Sequence, residues 1–178
     1  MLHITLGPIN QLDPETCPMG RSYNGWREGM SEEQIYNINR GRWVLGERAD
    51  RERYVLFSAG GQVRLAVEIS AIRASNGRDE RDDDGRRTLQ GTVLTCGHPV
   101  HDTHVGHNSP VTGNRNPISY FDSPLDSRTC GCGCGEPVPV RRDFLAGHDQ
   151  RAIHERIAKV GSVTDFLVWF DKTWAEAR

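Results

Sequence analysis

Residues 53–69 read Arg53-Tyr54-Val55-Leu56-Phe57-Ser58-Ala59-Gly60-Gly61-Gln62-Val63-Arg64-Leu65-Ala66-Val67-Glu68-Ile69. An apolar run from Tyr54 to Phe57 meets Ala59-Gly60-Gly61. Beyond that turn, Val63, Leu65, Val67 and Ile69 alternate with Gln62, Arg64, Ala66 and Glu68. Successive side chains of a strand point to opposite faces, and paired glycines take the backbone conformations of a tight reversal. The stretch therefore predicts a β-hairpin. Its second strand should have one buried face and one wet face, with Arg64 and Glu68 on the wet one.

Upstream, Ser31 with Gln34 three residues later forms a capping-box pattern, and Met30 can staple onto Ile35. Ile35 and Ile38 then share one helix face, with Tyr36 beside them and Gly41 as a stop. Residues 1–29, interrupted by Pro8, Pro14 and Pro18 and several glycines, read as an irregular lead-in. Downstream, residues 73–87 are almost wholly polar and predict a mobile loop, because they offer too little apolar surface to order themselves. Short strands are expected at 89–95 and near 118–121, joined by a His-, Gly- and Asn-rich connection.

The texture changes at Cys130. Cys-Gly-Cys-Gly-Cys-Gly leads to Glu136-Pro137-Val138-Pro139 and then to two helices. The first begins near Asp149, carries Ile153 and Ile157 four apart, and ends at Gly161. Ser162 with Asp165 caps the second, whose Phe166, Leu167, Phe170 and Trp174 make an apolar stripe. That stripe reads first as a face packed on the preceding domain, and otherwise as a contact for a protein partner.

Composition narrows the function classes. The 178 residues hold 22 Lys+Arg against 24 Asp+Glu, a formal charge of −2, which excludes a generally basic nucleic-acid coat. Twenty arginines against two lysines still allow local patches, since guanidinium forks suit phosphates and base edges. No run approaches the roughly 20 apolar residues of a membrane span. The opening Met1-Leu2-His3-Ile4-Thr5 lacks the blocks of a signal peptide, so a cytoplasmic setting is expected. In a reducing compartment, clustered cysteines read as metal ligands before disulfides. Phosphate loops, dinucleotide fingerprints, HExxH and GxSxG are all lacking, and the reading favours recognition over catalysis.

Three constellations could carry chemistry. Cys130, Cys132 and Cys134 alternate with glycine and can turn toward one ion, with His148 as the natural partner in a tetrahedral zinc site. Three thiolates so close in sequence are crowded. If only two bind, Cys96 or His98 could complete the set. Second, Arg40, Arg42, Arg64 and Asn116 could donate to phosphates or base edges, while Trp26, Tyr36, Trp43 and Tyr120 could supply stacking faces. Arg40 and Arg42, flanking Gly41, are the leading pair for a phosphate. Third, His98, His101, His104 and His107 recur every three residues, a spacing that only a tight turn or a 3₁₀ segment would align into a metal site for a nuclease or hydrolase.

Two resemblances follow from these residues. Cys132-Gly133-Cys134-Gly135-Glu136-Pro137-Val138, followed by Phe144-Leu145-Ala146-Gly147-His148-Asp149-Gln150, resembles a short cysteine–histidine module of actinobacterial and phage proteins. Ala146 stands where that pattern usually has proline. The module covers about 25 residues and implies no defined activity. The second runs over residues about 25–125. Glu33-Gln34-Ile35-Tyr36, Arg40-Gly41-Arg42-Trp43, Arg53-Tyr54-Val55-Leu56, Gly61-Gln62-Val63-Arg64 and Gly113-Asn114-Arg115-Asn116-Pro117-Ile118-Ser119-Tyr120 are similar to the PUA-like superfamily. Its EVE, YTH and ASCH relatives bind nucleic acid on a small curved β-barrel, often holding a modified or extruded base. Ser70-Ala71-Ile72 stands where relatives tend to place an aromatic.

The resulting expectation is an α+β protein in three parts: an irregular lead-in at 1–29, a PUA-like β-barrel domain at 30–125, and a zinc-stabilised Cys/His module with two helices at 126–178. The expected function is recognition of nucleic acid by a zinc-containing protein. The alternatives are a metal-dependent nuclease or hydrolase using His98–His107, and an adaptor that meets a protein partner through Phe166, Phe170 and Trp174.

Overall fold

Strand order in the computed structural model, which describes residues 1–74, 85–138 and 142–176, is β6-β5-β4-β1-β7. The chain divides into two units, Met1–Asp126 and Ser127–Arg178. In the first unit the elements run β1 (Leu2–Thr5), β2 (Asn10–Gln11), β3 (Tyr23–Asn24), α1 (Glu32–Asn39), β4 (Tyr54–Ala59), β5 (Gln62–Ala74), β6 (Arg87–Val93), α2 (Pro99–His104) and β7 (Ile118–Tyr120). Short 3₁₀ turns stand at Glu47–Arg51 and Pro124–Asp126. β1 runs parallel to β4, every other neighbour in the five-stranded sheet is antiparallel, and β2 and β3 form a separate ribbon.

The class is α+β, but the described strands do not close into the expected barrel: β6 and β7 are the two free ends of an open sheet. A barrel has one interior, and here the central strands bury both faces. β4 is buried at all six positions. One face packs Leu2, Ile4, Val55, Phe57, Leu65, Val67 and Leu89 against Ile35 of α1. The other packs Met1, Tyr54, Leu56, Val63, Ala66 and Leu94 against Val100 of α2. Each fully buried aliphatic or aromatic side chain contributes roughly 1.5–3 kcal/mol, so two such faces stabilise the sheet without closure.

The hairpin forms as read, with Gly60 and Gly61 at φ +59° and +78° in the turn. Its facing differs. Phe57 pairs with Leu65 and Ser58 with Val63, leaving Arg64 as the extra residue of a β-bulge. The bulge puts Val63 on the face opposite Leu65 and Val67. The face expected to be wet is covered: Ala66 is fully buried and Glu68 half-buried, with α2, hidden in the histidine-rich connection, sharing a core with Ala66, while Arg64 is half-buried over the Trp26 ring.

Residues 1–29 are not a wholly irregular lead-in. β1 sits between β4 and β7, with Leu2, His3 and Ile4 fully buried. His3 is a buried polar residue satisfied by serines, with Nε2 2.8 Å from Ser58 Oγ and 3.0 Å from Ser109 Oγ, and Nδ1 3.0 Å from Ser119 Oγ. Ser109 donates its proton to the Val111 carbonyl at 2.7 Å. Nε2–H is therefore the donor, and because burial lowers the ring's pKa to about 4 and keeps it neutral, Nδ1 accepts from Ser119. The loop expected at 73–87 is shorter, since β5 extends to Ala74 and β6 starts at Arg87. Its centre, 75–84, lies outside the described residues. α1 is capped as expected, Ser31 Oγ accepting from Gln34 N (3.2 Å) and Gln34 Oε1 from Ser31 N (3.0 Å).

In the second unit, β8 (Arg128–Thr129) pairs with β9 (Pro137–Val138), and two helices follow, α3 (His148–Val160) and α4 (Val163–Glu176). Ser162 and Asp165 cap α4: Ser162 Oγ accepts from Asp165 N at 3.2 Å, and Asp165 Oδ2 accepts from Ser162 N at 2.8 Å. Among the described residues, no helix is long and apolar enough to cross a membrane.

Candidate functional site

The β8–β9 turn and the start of α3 bring together three cysteines and a histidine. The Cys130 N–H donates to the Glu136 carbonyl (2.8 Å) and the Gly133 N–H to the Cys130 carbonyl (3.0 Å), closing a tight loop. Gly133 and Gly135 take φ +87° and +81°, left-handed positions that spare the loop the penalty a side chain would meet. Those two reversals relieve the expected crowding, so all three cysteines reach one centre. His148, the first residue of α3, completes it.

The ligand atoms of Cys130, Cys132, Cys134 and His148 all lie within 4.8 Å of one another. His148 Nδ1 stands 3.7, 3.3 and 3.6 Å from the three sulfurs in chain order. A tetrahedral zinc with ordinary Zn–S and Zn–N lengths has S···N edges of about 3.6 Å. The geometry therefore fits a metal ion, and three soft thiolates with one imidazole are a donor set suited to zinc. Burial pushes the Cys130 thiol up, but donation from the Cys132 and Leu145 backbone and from the Cys132 and Cys134 thiols outweighs it, bringing it down to about 7. Burial, and then the neighbouring thiols Cys134 and Cys130, raise Cys132. A cation shared by all of them would offset the repulsion between thiolates.

The other proposed ligands lie elsewhere. Cys96 is exposed and His98 caps α2, its Nδ1 accepting from Val100 N at 3.2 Å; neither belongs to the cluster. The histidine series does not gather into a second metal centre, and the Cys130–His148 group is the only cluster of three or more candidate ligands among the described residues. His101 Nε2 lies 3.3 Å from Glu32 and its Nδ1 3.1 Å from Asp102, whereas His104 sets its ring edge-on to Phe121 at 5.7 Å. In place of the tight turn or 3₁₀ segment that would have aligned them stands the α-helix Pro99–His104, which holds only His101 and His104, and these face different partners. Burial, and then His107, lower the His104 pKa.

The first unit carries a cleft of about 610 Å³. The β2–β3 loop forms one wall through Asp13, Cys17 and Arg21, the residues after α1 form another through Arg42 and Trp43, and Arg86 and Asn116 complete it. Of the six residues nominated for nucleic acid, the structure brings Arg42, Trp43 and Asn116 together here. The other three, Arg40, Arg64 and Tyr120, are engaged in cation–π contacts within their own chain. Arg40 stands 6.0 Å from the Tyr36 ring centre, Arg64 4.4 Å from Trp26, and Arg48 lies 4.0 Å over Tyr120.

Arg42 has φ +65°, the one non-glycine residue with positive φ among those described. Such a conformation costs on the order of 1–2 kcal/mol, and strain of this kind gathers at functional sites. The Arg42 carbonyl accepts from Arg86 Nη1 at 3.0 Å, and Trp43 is pinned by its indole N–H to the Asn39 carbonyl at 2.6 Å. Arg21 Nη1 donates to the Ile38 carbonyl at 2.8 Å, while its buried Nε has no hydrogen-bond partner among the described residues. Burial would raise the Cys17 thiol, but hydrogen bonds from Arg21 and Met19 prevail and lower it. Arg21, Arg86 and Cys17 carried no motif in the sequence; only the folding of the β2–β3 loop toward α1 reveals them.

Comparison with protein-family models, curated proteins and solved structures finds no match to this chain.

Proposed function

We propose that the protein is a zinc-containing recognition protein whose first unit binds nucleic acid in the 610 Å³ cleft. Zinc would sit on Cys130, Cys132, Cys134 and His148 in a structural role, since all four tetrahedral positions are taken by protein. The observation that carries the reading is the convergence of Arg21, Arg42 and Arg86 with Trp43 and Asn116 around one cleft. Guanidinium groups grip phosphate, the indole offers a face to a base, and the carboxamide can read a base edge. The volume falls within the roughly 300–1,000 Å³ of small-ligand sites, so one nucleotide, not a long duplex, is the unit held. Few phosphate contacts also agree with a chain of formal charge −2. The proposal keeps the kind of activity that the PUA-like resemblance implies, on an open sheet.

Anisotropy of labelled single-stranded RNA and DNA at low salt, with free nucleotides as competitors, tests it. Arg42→Gly removes the guanidinium while glycine suits φ +65°, and it should weaken binding about tenfold or more. Asn116→Ala should weaken it less and alter base preference. Absence of binding by the wild type at low salt, or equal binding by Arg42→Gly, would overturn the proposal.

A further inference from the structure

The chain holds five cysteines, none of them paired, and they differ in access and company. Cys17 is buried, Cys96 is exposed but belongs to no cluster of candidate ligands, and Cys130 is only 2% exposed. Cys132 and Cys134 alone are half-buried with another sulfur within 4.8 Å. The two sides of their loop differ in the same sense. A side-chain carbon on Gly131, next to Cys130, would meet the Phe144 ring at 3.0 Å. One on Gly133 or Gly135, on either side of Cys134, would meet nothing within 4 Å. A small solute thus reaches Cys132 and Cys134 from open solvent, whereas Cys130 is covered.

The surroundings favour reaction at these two sulfurs. His148 and Arg151 stand three residues apart on α3, a spacing that shares one helix face. Arg151, whose Nε donates to Glu155 Oε1 at 2.7 Å, lies in the electrostatic field of both Cys132 and Cys134. Partial exposure beside a cation is the environment in which thiols act as nucleophiles. Their spacing also suits a bond between them. Residues two apart stand no more than about 7 Å apart at Cα, and a disulfide needs about 4.4–6.8 Å. Gly133, at φ +87°, folds the chain back between the two.

We propose that Cys132 and Cys134 form a peroxide-sensitive dithiol that releases the metal when it is oxidised to a disulfide. The proposal rests on the reading of Cys130, Cys132, Cys134 and His148 as a zinc site. One thiolate attacks hydrogen peroxide: an S–O bond forms, the O–O bond breaks and hydroxide leaves, so that sulfur becomes a sulfenic acid, oxidised by two electrons. The second thiolate attacks it, the S–S bond forms, the S–O bond breaks and a second hydroxide leaves. Both hydroxides take protons from the solvent. Zinc itself is neither oxidised nor reduced. It is left with Cys130 and His148 for donors, too few to hold it. His148 opens α3, and the buried apolar residues of the second unit among those described are Cys130, Val138 and Ala152, so loss of the ion loosens the helices that follow. A dithiol reductant restores both thiolates by exchange.

The test treats the metal-loaded full chain with a few equivalents of hydrogen peroxide and reads released zinc with a chromogenic chelator. The denatured chain is then alkylated with iodoacetamide before reduction and with N-ethylmaleimide after it, and mass spectrometry locates each label. The expected result is loss of all bound zinc, with the second label on Cys132 and Cys134 and the first on Cys130. Dithiothreitol and added zinc should restore the metal and the helical signal, and Cys96→Ser should behave as the wild type. Zinc that stays bound while Cys96 is oxidised overturns the proposal and leaves the zinc site standing. A disulfide through Cys130, or a release that dithiothreitol does not reverse, overturns it in the same way. A wild type that carries no metal overturns the zinc reading and this proposal with it.

Discussion

In Met1–Asp126, β4 is buried at all six positions and hydrophobic clusters fill both faces of the sheet. In Ser127–Arg178, the buried apolar residues among those described are Cys130, Val138 and Ala152. The first unit has an extensive apolar core of its own. The second has two capped helices and a short ribbon, and its interior is a set of ligands. Isolated helices of this length are marginal in water, so a metal ion on Cys130, Cys132, Cys134 and His148 would supply order that apolar burial there does not. One chain thus combines a unit built around an apolar core with a unit built around a set of candidate metal ligands.

The largest effect expected from this contrast is metal removal. Apparent binding free energies for structural zinc are on the order of 10 kcal/mol and are spent on folding. A strong chelator should therefore abolish most of the helical signal of α3 and α4 and open residues 127–176 to protease, while residues 1–126 resist. Equal loss in both units would break the comparison.

Phe57→Ala comes next. Phe57 is fully buried between β1 and β5, and such truncations cost about 3–5 kcal/mol. Urea unfolding of the first unit should shift by that amount with metal content unchanged.

The pH dependence is of similar size and also belongs to the first unit. Burial lowers the His3 pKa from 6.5 to about 4, so the unfolded chain takes up the proton more readily than the folded one. The stability contributed by neutral His3 is fully present above pH 6.5. It is lost as pH falls toward 4, up to about 3 kcal/mol. His3→Gln should flatten the unfolding profile in that window, leaving the slope of His104, which burial shifts in the same direction. A profile unchanged by His3→Gln would place the titration elsewhere.

The smallest effect is at α1. Ser31→Ala removes the acceptor for Gln34 N and should cost about 1 kcal/mol in thermal or urea unfolding of the first unit.

Legibility in the sequence followed the range of the interaction. Ser31 with Gln34 and Ser162 with Asp165 announced their helices because a cap is settled within four residues. The Gly60-Gly61 reversal and the Cys-Gly spacing with His148 were legible for the same reason, as turns with local backbone demands. β1 was not, because three consecutive buried residues, Leu2, His3 and Ile4, show no alternation of buried and wet positions. The bulge at Arg64 depends on pairing with β4, so an unbroken alternation of letters concealed a change of face. The cleft draws on residues from Leu12 to Ile118, and no local pattern records that meeting. Closure of the sheet was misjudged because strand count and length do not reveal that α1 and α2 cover opposite faces.

The most direct test of a coordinated second unit is metal content per chain on protein purified without added metal, for the wild type, Cys132→Ser and His104→Ala. The account predicts one zinc per chain, lost in Cys132→Ser and retained in His104→Ala. No bound metal in the wild type, or a zinc that survives Cys132→Ser and disappears with His104→Ala, would contradict it.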